Sequence, residues 1–199
     1  MFTSDEPDKI KAMKQLSASK SDCVDCSLHE GATHVVMGSG SLDSRIVLVG
    51  EGPGRKEDEM GLPFVGSAGK LLDELLHEAG MKREDLFITN IVKCRPPNNR
   101  RPKKSEIQEC VPILDEQLKI IKPRVIAPMG NSAVSYFFDR YTLGDAVIGK
   151  VHGEKFEVEE NWGKITLVPL YHPAAAIYKR SLLEELKKDM KILKALGLL

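Results

Sequence analysis

The sequence predicts an α/β fold in which helices cover both faces of a parallel sheet. Three observations predict it. Short apolar, β-branched runs alternate with segments of helical periodicity. Each run closes in a turn built from glycine, asparagine or proline. No internal repeat, low-complexity tract or linker interrupts the alternation, so residues 1–199 are read as a single domain. Parallel strands joined by right-handed crossovers are the arrangement such a pattern can adopt.

Asp8 to Lys20 has helical character and leads into Cys23-Val24-Asp25-Cys26. Gly38-Ser39-Gly40-Ser41 reads as a flexible turn. Arg45-Ile46-Val47-Leu48-Val49 is a buried strand ending in Gly50-Glu51-Gly52-Pro53-Gly54. Arg55 to Gly66 reads as a long loop, and Ser67 to Leu76 as a helix that Gly80 stops. The second strand is Leu86 to Val92. Ser105 then caps a helix, with Gln108 completing a capping box, and Pro112 should kink that helix or open a second segment. The third strand is Arg124 to Met129, and a short helix over Asn131 to Phe138 comes next. The fourth strand is Lys164 to Tyr171, and Ser181 to Leu196 closes the chain as an amphipathic helix.

Composition excludes several classes of function. With 42% hydrophobic and 29% charged residues the chain is neither disordered nor fibrous, and no apolar run approaches the roughly 20 residues that span a bilayer. The acidic start, Met1 to Pro7, lacks the basic and apolar parts of a signal peptide, so an intracellular, cytoplasmic protein is expected. Formal net charge is zero, which argues against coating nucleic acid by bulk charge but not against a local basic face. Such a face is available between Arg95 and Lys104, where R-P-P-N-N-R-R-P-K-K carries five basic residues and no acid; alone, that segment reads as a solvated loop.

Parallel sheets bind ligands beyond the carboxyl ends of their strands. In this chain the residues beyond those ends are the Gly50–Gly54 turn, Asn90 with the Cys94 loop, Gly130-Asn131, and His172-Pro173. An active site is expected at that edge.

The four cysteines are Cys23, Cys26, Cys94 and Cys110. A Cys-x-x-Cys turn aims two thiolates at one centre, and two further cysteines make a closed four-thiolate metal site the natural reading against four unrelated buried thiols. Zinc and an iron–sulfur cluster both suit such a set, and spacing does not choose. Gly50-x-Gly52-x-Gly54 invites a dinucleotide reading, but that fingerprint opens directly into a helix and carries an acid on the next strand. Here a loop is expected after Gly54, and the next strand carries Asn90.

Three stretches resemble the thermostable, iron–sulfur family 4 uracil-DNA glycosylases: G-E-G-P-G-R-K-E-D-E-M-G-L-P-F-V-G-S-A-G (50–69), L-F-I-T-N-I-V-K-C-R-P-P-N-N-R (86–100) and Y-H-P-A-A-A-I (171–177). The cysteine spacing is similar as well, and the resemblance runs from about Cys23 to Lys191. It implies a three-layer α/β/α fold with a four-stranded parallel sheet. It also implies a [4Fe-4S] cluster on Cys23, Cys26, Cys94 and Cys110, selecting iron–sulfur over zinc, and hydrolysis of uracil from single- or double-stranded DNA to leave an abasic site.

The resemblance implies roles for individual residues. Uracil must be flipped out of the stack to be reached. Phe64 then stacks on the base, although Pro-Phe-Val alone reads as core. Asn90 both donates and accepts, matching uracil O4 and N3–H but not cytosine. Neutral His172 donates to O2 as negative charge leaves on the ring. Glu57 obstructs the thymine methyl, although the charged run Arg55 to Glu59, taken alone, reads as a solvent-facing surface. Some related glycosylases carry Asp where this chain has Gly52, so Glu51 is the expected base for water, with Asn99 orienting it or the water. Ala174 to Arg180 enters the minor groove with Ile177 or Tyr178 as a wedge, a segment that departs from the usual Leu-Leu-Arg. Lys179, Arg180 and the basic loop, including Arg95, Arg100 and Arg101, meet phosphates.

A covalent branch of the same superfamily uses a histidine in the basic loop; Arg95 to Lys104 has none, so turnover is expected. A reading of a different class is a non-catalytic iron–sulfur or zinc module for DNA binding or electron transfer, which leaves Asn90, Phe64 and His172 idle. A nucleoid-associated monomer with a sliding clamp as candidate partner completes the expectations.

Overall fold

A computed structural model describes residues 6–197; the acidic stretch Met1–Asp5 lies outside them. The sheet has six strands: β1 (Ser39–Gly40), β2 (Ile46–Gly50), β3 (Phe87–Asn90), β4 (Val125–Pro128), β5 (Phe156–Glu160) and β6 (Gly163–Leu167), in spatial order β1-β3-β2-β4-β6-β5. The four expected strands form its parallel centre, β3-β2-β4-β6. Two antiparallel edge strands, β1 and β5, correct the expected count of four.

The centre strands are buried on both sides, as crossover helices require. Ile46 and Leu48 face one core with Ile88, while Val47 and Val49 face the other with Phe87 and Ile126. Three helices cover the first face: α3 (Ser67–Glu78), α7 (Pro173–Tyr178) and α8 (Leu182–Gly197), contributing Leu72, Leu75, Ala176, Leu186, Met190 and Leu193. The second face is covered by α4 (Lys104–Ile121) and α5 (Asn131–Arg140) through Leu114, Leu118 and Phe137, with Met13 of α1 (Glu6–Ser19) packed alongside. These layers are α/β/α. Each such fully buried aliphatic side chain stabilises the fold by about 1.5–3 kcal/mol.

Five local expectations are corrected. The Gly38–Ser41 turn contains β1; a Cβ on Gly40 would lie 1.8 Å from the Leu86 carbonyl oxygen, so glycine here permits edge pairing rather than flexibility. The loop after Gly54 opens with α2 (Arg55–Met60), which ends on Gly61 in the left-handed region at φ 67°. That removes one ground for setting aside a dinucleotide site; Asn90 in place of an acid remains. Helix α4 begins two residues early: Glu106, not Gln108, accepts from a capping backbone, the Lys103 N–H, at 2.7 Å. It also runs through Pro112 as one element, forgoing one backbone hydrogen bond instead of breaking. The fourth strand ends at Leu167, beyond which only a Met129–Leu170 bridge continues the pairing. A short helix, α6 (Ile148–Val151), completes the described α-helices.

Candidate active site

At the carboxyl end of the parallel strands lies a cavity of about 720 Å³. Its wall contains Glu51, Gly52, Glu57, Phe64, Asn90, Asn99, Arg100, Arg101, Gly130 and His172, so segments beyond all four parallel strand ends meet where the fold class placed them. Arg95, Ile177, Lys179 and Arg180 do not line it, and the four cysteines lie elsewhere.

The sheet register explains the floor. Gly50 of β2 sits opposite Asn90 of β3. A Cβ on Gly50 would fall 2.4 Å from Asn90 Oδ1 and 2.7 Å from the Phe64 ring. The missing side chain is what admits both groups. Asn90 is 1% exposed, and its Oδ1 has no hydrogen-bond partner among the described residues. A buried unmatched acceptor costs about 1–3 kcal/mol, so its place is a site where a donor is brought in.

Phe64 reaches this floor from a strained backbone, with φ at 51°. Two features hold the turn. Glu57 Oε1 accepts the Val65 and Gly66 amide hydrogens at 2.9 and 2.7 Å. Gly69 packs so close that a Cβ there would meet the Phe64 carbonyl oxygen at 1.8 Å. The charged run is therefore divided: Glu57 and buried Asp58 turn inward, while Arg55, Lys56 and Glu59 face out. Asp58 in turn binds the Thr33 amide and hydroxyl at 2.8 and 2.9 Å, tying the segment after the second cysteine to α2.

His172 caps α7, its Nδ1 accepting the Ala174 N–H at 3.2 Å. That bond assigns the ring proton to Nε2. Burial pulls the imidazole down to about 4, with Glu57 opposing, so the ring is neutral at physiological pH. It stacks on Phe64 with centroids 5.5 Å apart.

Glu51 has a partner the sequence did not disclose: the Ser132 hydroxyl, at the start of α5, donates to its Oε2. Asn99, expected beside Glu51, instead accepts from Arg95 Nε at 2.8 Å. Arg100 is committed to buried Glu106 through two bonds of 2.8 and 2.7 Å, and it holds that carboxyl down to about 2. Arg101, Arg55 and Lys56 reach the cavity rim and are exposed. Of the two wedge candidates, Tyr178 lines the cavity and is 91% exposed; Ile177 is 46% exposed and stands away from it.

Cys26, Cys94 and Cys110 share one apolar cluster with Leu28, Val92 and Ile113. Burial pushes the Cys94 thiol up to about 12, and Cys110, Cys26 and Cys23 each raise it further. Cys110 is likewise raised by burial and by Cys26 and Cys23, while Lys93, whose amide donates to its Sγ at 3.2 Å, opposes. Two thiols, Cys94 and Cys110, whose ionisation burial and neighbouring cysteines oppose suit a shared positive partner. Among the described residues, no three His, Cys, Asp or Glu side chains converge to grip a single metal ion.

A family model described as the uracil DNA glycosylase superfamily matches residues 37–196. The chain is 46% identical to the type-4 uracil-DNA glycosylase of Archaeoglobus fulgidus, over 85% of each chain. It is similar to that of Thermotoga maritima at 42% identity, covering 99% of this chain and 100% of the relative. The corresponding figures for the Sulfurisphaera tokodaii enzyme are 39%, 95% and 86%.

Proposed function

The chain belongs to the type-4 branch of the uracil-DNA glycosylase superfamily, and on that footing we propose that it excises uracil from DNA by hydrolysing the N-glycosidic bond. The observation that carries this reading is the unmatched, buried Oδ1 of Asn90 on a cavity floor beside Phe64 and the Nε2–H of His172. Uracil flipped into the cavity stacks on Phe64 and donates N3–H to Asn90 Oδ1, while the Asn90 amide donates to O4. Cytosine lacks the N3–H and carries a donor at C4, so it meets the wrong group twice.

As the C1′–N1 bond breaks, its electron pair passes to the base, and the His172 Nε2–H stabilises the charge gathering on O2. The sugar, left electron-poor, takes a water whose proton passes to Glu51. Glu51 keeps one oxygen for that proton because Ser132 occupies the other. Glu57 forms a fixed wall beside the Phe64 turn, which suits exclusion of a C5 methyl.

Phosphate contacts fall to Arg101, Lys179 and Arg180, with Arg55 and Lys56 on the facing rim. Arg95 acts by holding Asn99, and Arg100 by holding Glu106. Tyr178 is the better-placed wedge. Cys23, Cys26, Cys94 and Cys110 would hold a [4Fe-4S] cluster. Three of these thiols already share one apolar pocket, and an all-thiolate donor set suits that group. Bound there, the cluster would cross-link the N-terminal segment to both ends of the basic loop. A monomer acting on DNA, and a sliding clamp as its partner, remain part of the proposal.

The test is incubation of purified protein with an oligonucleotide bearing one deoxyuridine, then hot alkali and assay of the free base. Strand breaks at that position with free uracil are expected. An intact strand, or identical cleavage of a thymidine control, overturns the reading.

A further inference from the structure

Lys93 is fully buried, lies outside the cavity, and has no part in the chemistry above. Its Nζ makes three bonds of 2.7 Å, to Thr89 Oγ1, Gln117 Oε1 and the main-chain oxygen of Asn90. Two of those partners only accept, so they take hydrogens from Nζ in either protonation state. Gln117 is itself anchored, its Nε2 donating to the Met37 carbonyl at 2.5 Å. Thr89 Oγ1 reaches the same carbonyl at 3.0 Å. The Lys93 carbonyl accepts the Val36 N–H at 2.8 Å. The result is a closed polar knot between the end of β3, the middle of α4 and the Val36–Met37 segment.

A knot of this kind is expensive to bury, and an apolar side chain of similar length would fill the same space without it. What it adds is a hold on one peptide. Asn90 ends β3: the Gly50 carbonyl holds the N–H side of the next peptide, from Ile91 at 2.9 Å, while its carbonyl side is held by Lys93, and the Asn90 Oδ1 has no partner to aim it. The Asn90 side chain is therefore oriented chiefly through its own main chain. Resting on the assignment of Asn90 as the uracil reader, we propose that Lys93 is a positioning residue for base recognition: by gripping the Asn90 carbonyl it holds the unmatched Oδ1 at the cavity floor.

The test is a double-mutant cycle on kcat/KM for the deoxyuridine oligonucleotide, with cluster absorbance and melting temperature recorded for every protein. Lys93→Met removes the donors and keeps the bulk. It is expected to lower kcat/KM about tenfold in the parent but less than about twofold in an Asn90→Ala background. A role confined to stability moves both backgrounds alike, and equal losses, or no loss in the parent, overturn the proposal. If Lys93→Met fails to fold, Thr89→Val, which removes one leg of the knot isosterically, is put through the same cycle and judged by the same criterion at about threefold. Failure of this inference is distinguishable from failure of the function itself. In the first case the parent releases uracil and Asn90→Ala is impaired; in the second the parent releases none.

Discussion

His172 illustrates how one side chain's surroundings set its chemistry. Its proton sits on Nε2 because Nδ1 is occupied by a helix-capping amide, and it stays neutral because it is buried. The folded value of about 4 lies below the ordinary 6.5. The unfolded chain therefore binds the proton first, and the stability linked to this group is full above pH 6.5 and drains as pH falls toward 4. Melting measured across that window should flatten in His172→Gln. The same substitution should lower kcat about 10²–10³-fold, the usual loss for a preorganised donor. Ser132→Ala should cost turnover while sparing DNA binding. Unchanged turnover would detach Ser132 from the mechanism. Neither Ser132 nor Lys93 was legible in the sequence. Ser132 meets Glu51 across 81 positions, and no periodicity or motif marks Lys93 as buried. Asn90, Phe64, Glu57 and His172 were legible through the motifs that carry them, and for Asn90 and His172 the alternation of strands and helices already implied the sheet edge where they meet.

Among the elements, the four parallel strands could be read because burial on both faces leaves near-continuous apolar runs. The edges could not. Strand β1 is a serine and a glycine, and β5 carries Glu157, Glu159 and Glu160. Edge strands are kept short or charged to prevent further pairing, which erases the hydrophobic signature. Strand β2 yields a sharp test. Gly50→Ala has no backbone penalty, yet its methyl would intrude on Asn90 Oδ1 and the Phe64 ring. Uracil release should fall about 10²-fold or more with the fold retained, a loss readable by single-turnover kinetics beside circular dichroism. In the basic loop, Arg101 and Arg100 should separate. Arg101→Ala is expected to reduce the slope of log affinity against log salt by about 1, whereas Arg100→Ala leaves the slope and lowers the melting temperature. Equal slopes for both would reassign them.

At the scale of the molecule, two centres share one connection. The apolar pocket of the cysteines and the cavity lie on either side of the segment from Asn90 to Cys94, and α4 supports both through Cys110 and Gln117. Stripping the proposed cluster with a chelator under oxidation should therefore weaken DNA binding before it unfolds the sheet, seen as earlier amide exchange over 94–110 than over β2 and β4.

The unmatched oxygen of Asn90 also bears on heat resistance. A molecule that leaves one buried acceptor unpaired by its own chain forgoes stability it could easily have had. Asn90→Leu should thus melt above its parent while releasing no uracil. Thermal robustness and vigilance for damage are here opposed at a single atom, and selection for the hardiest variant would discard the tool it was meant to preserve.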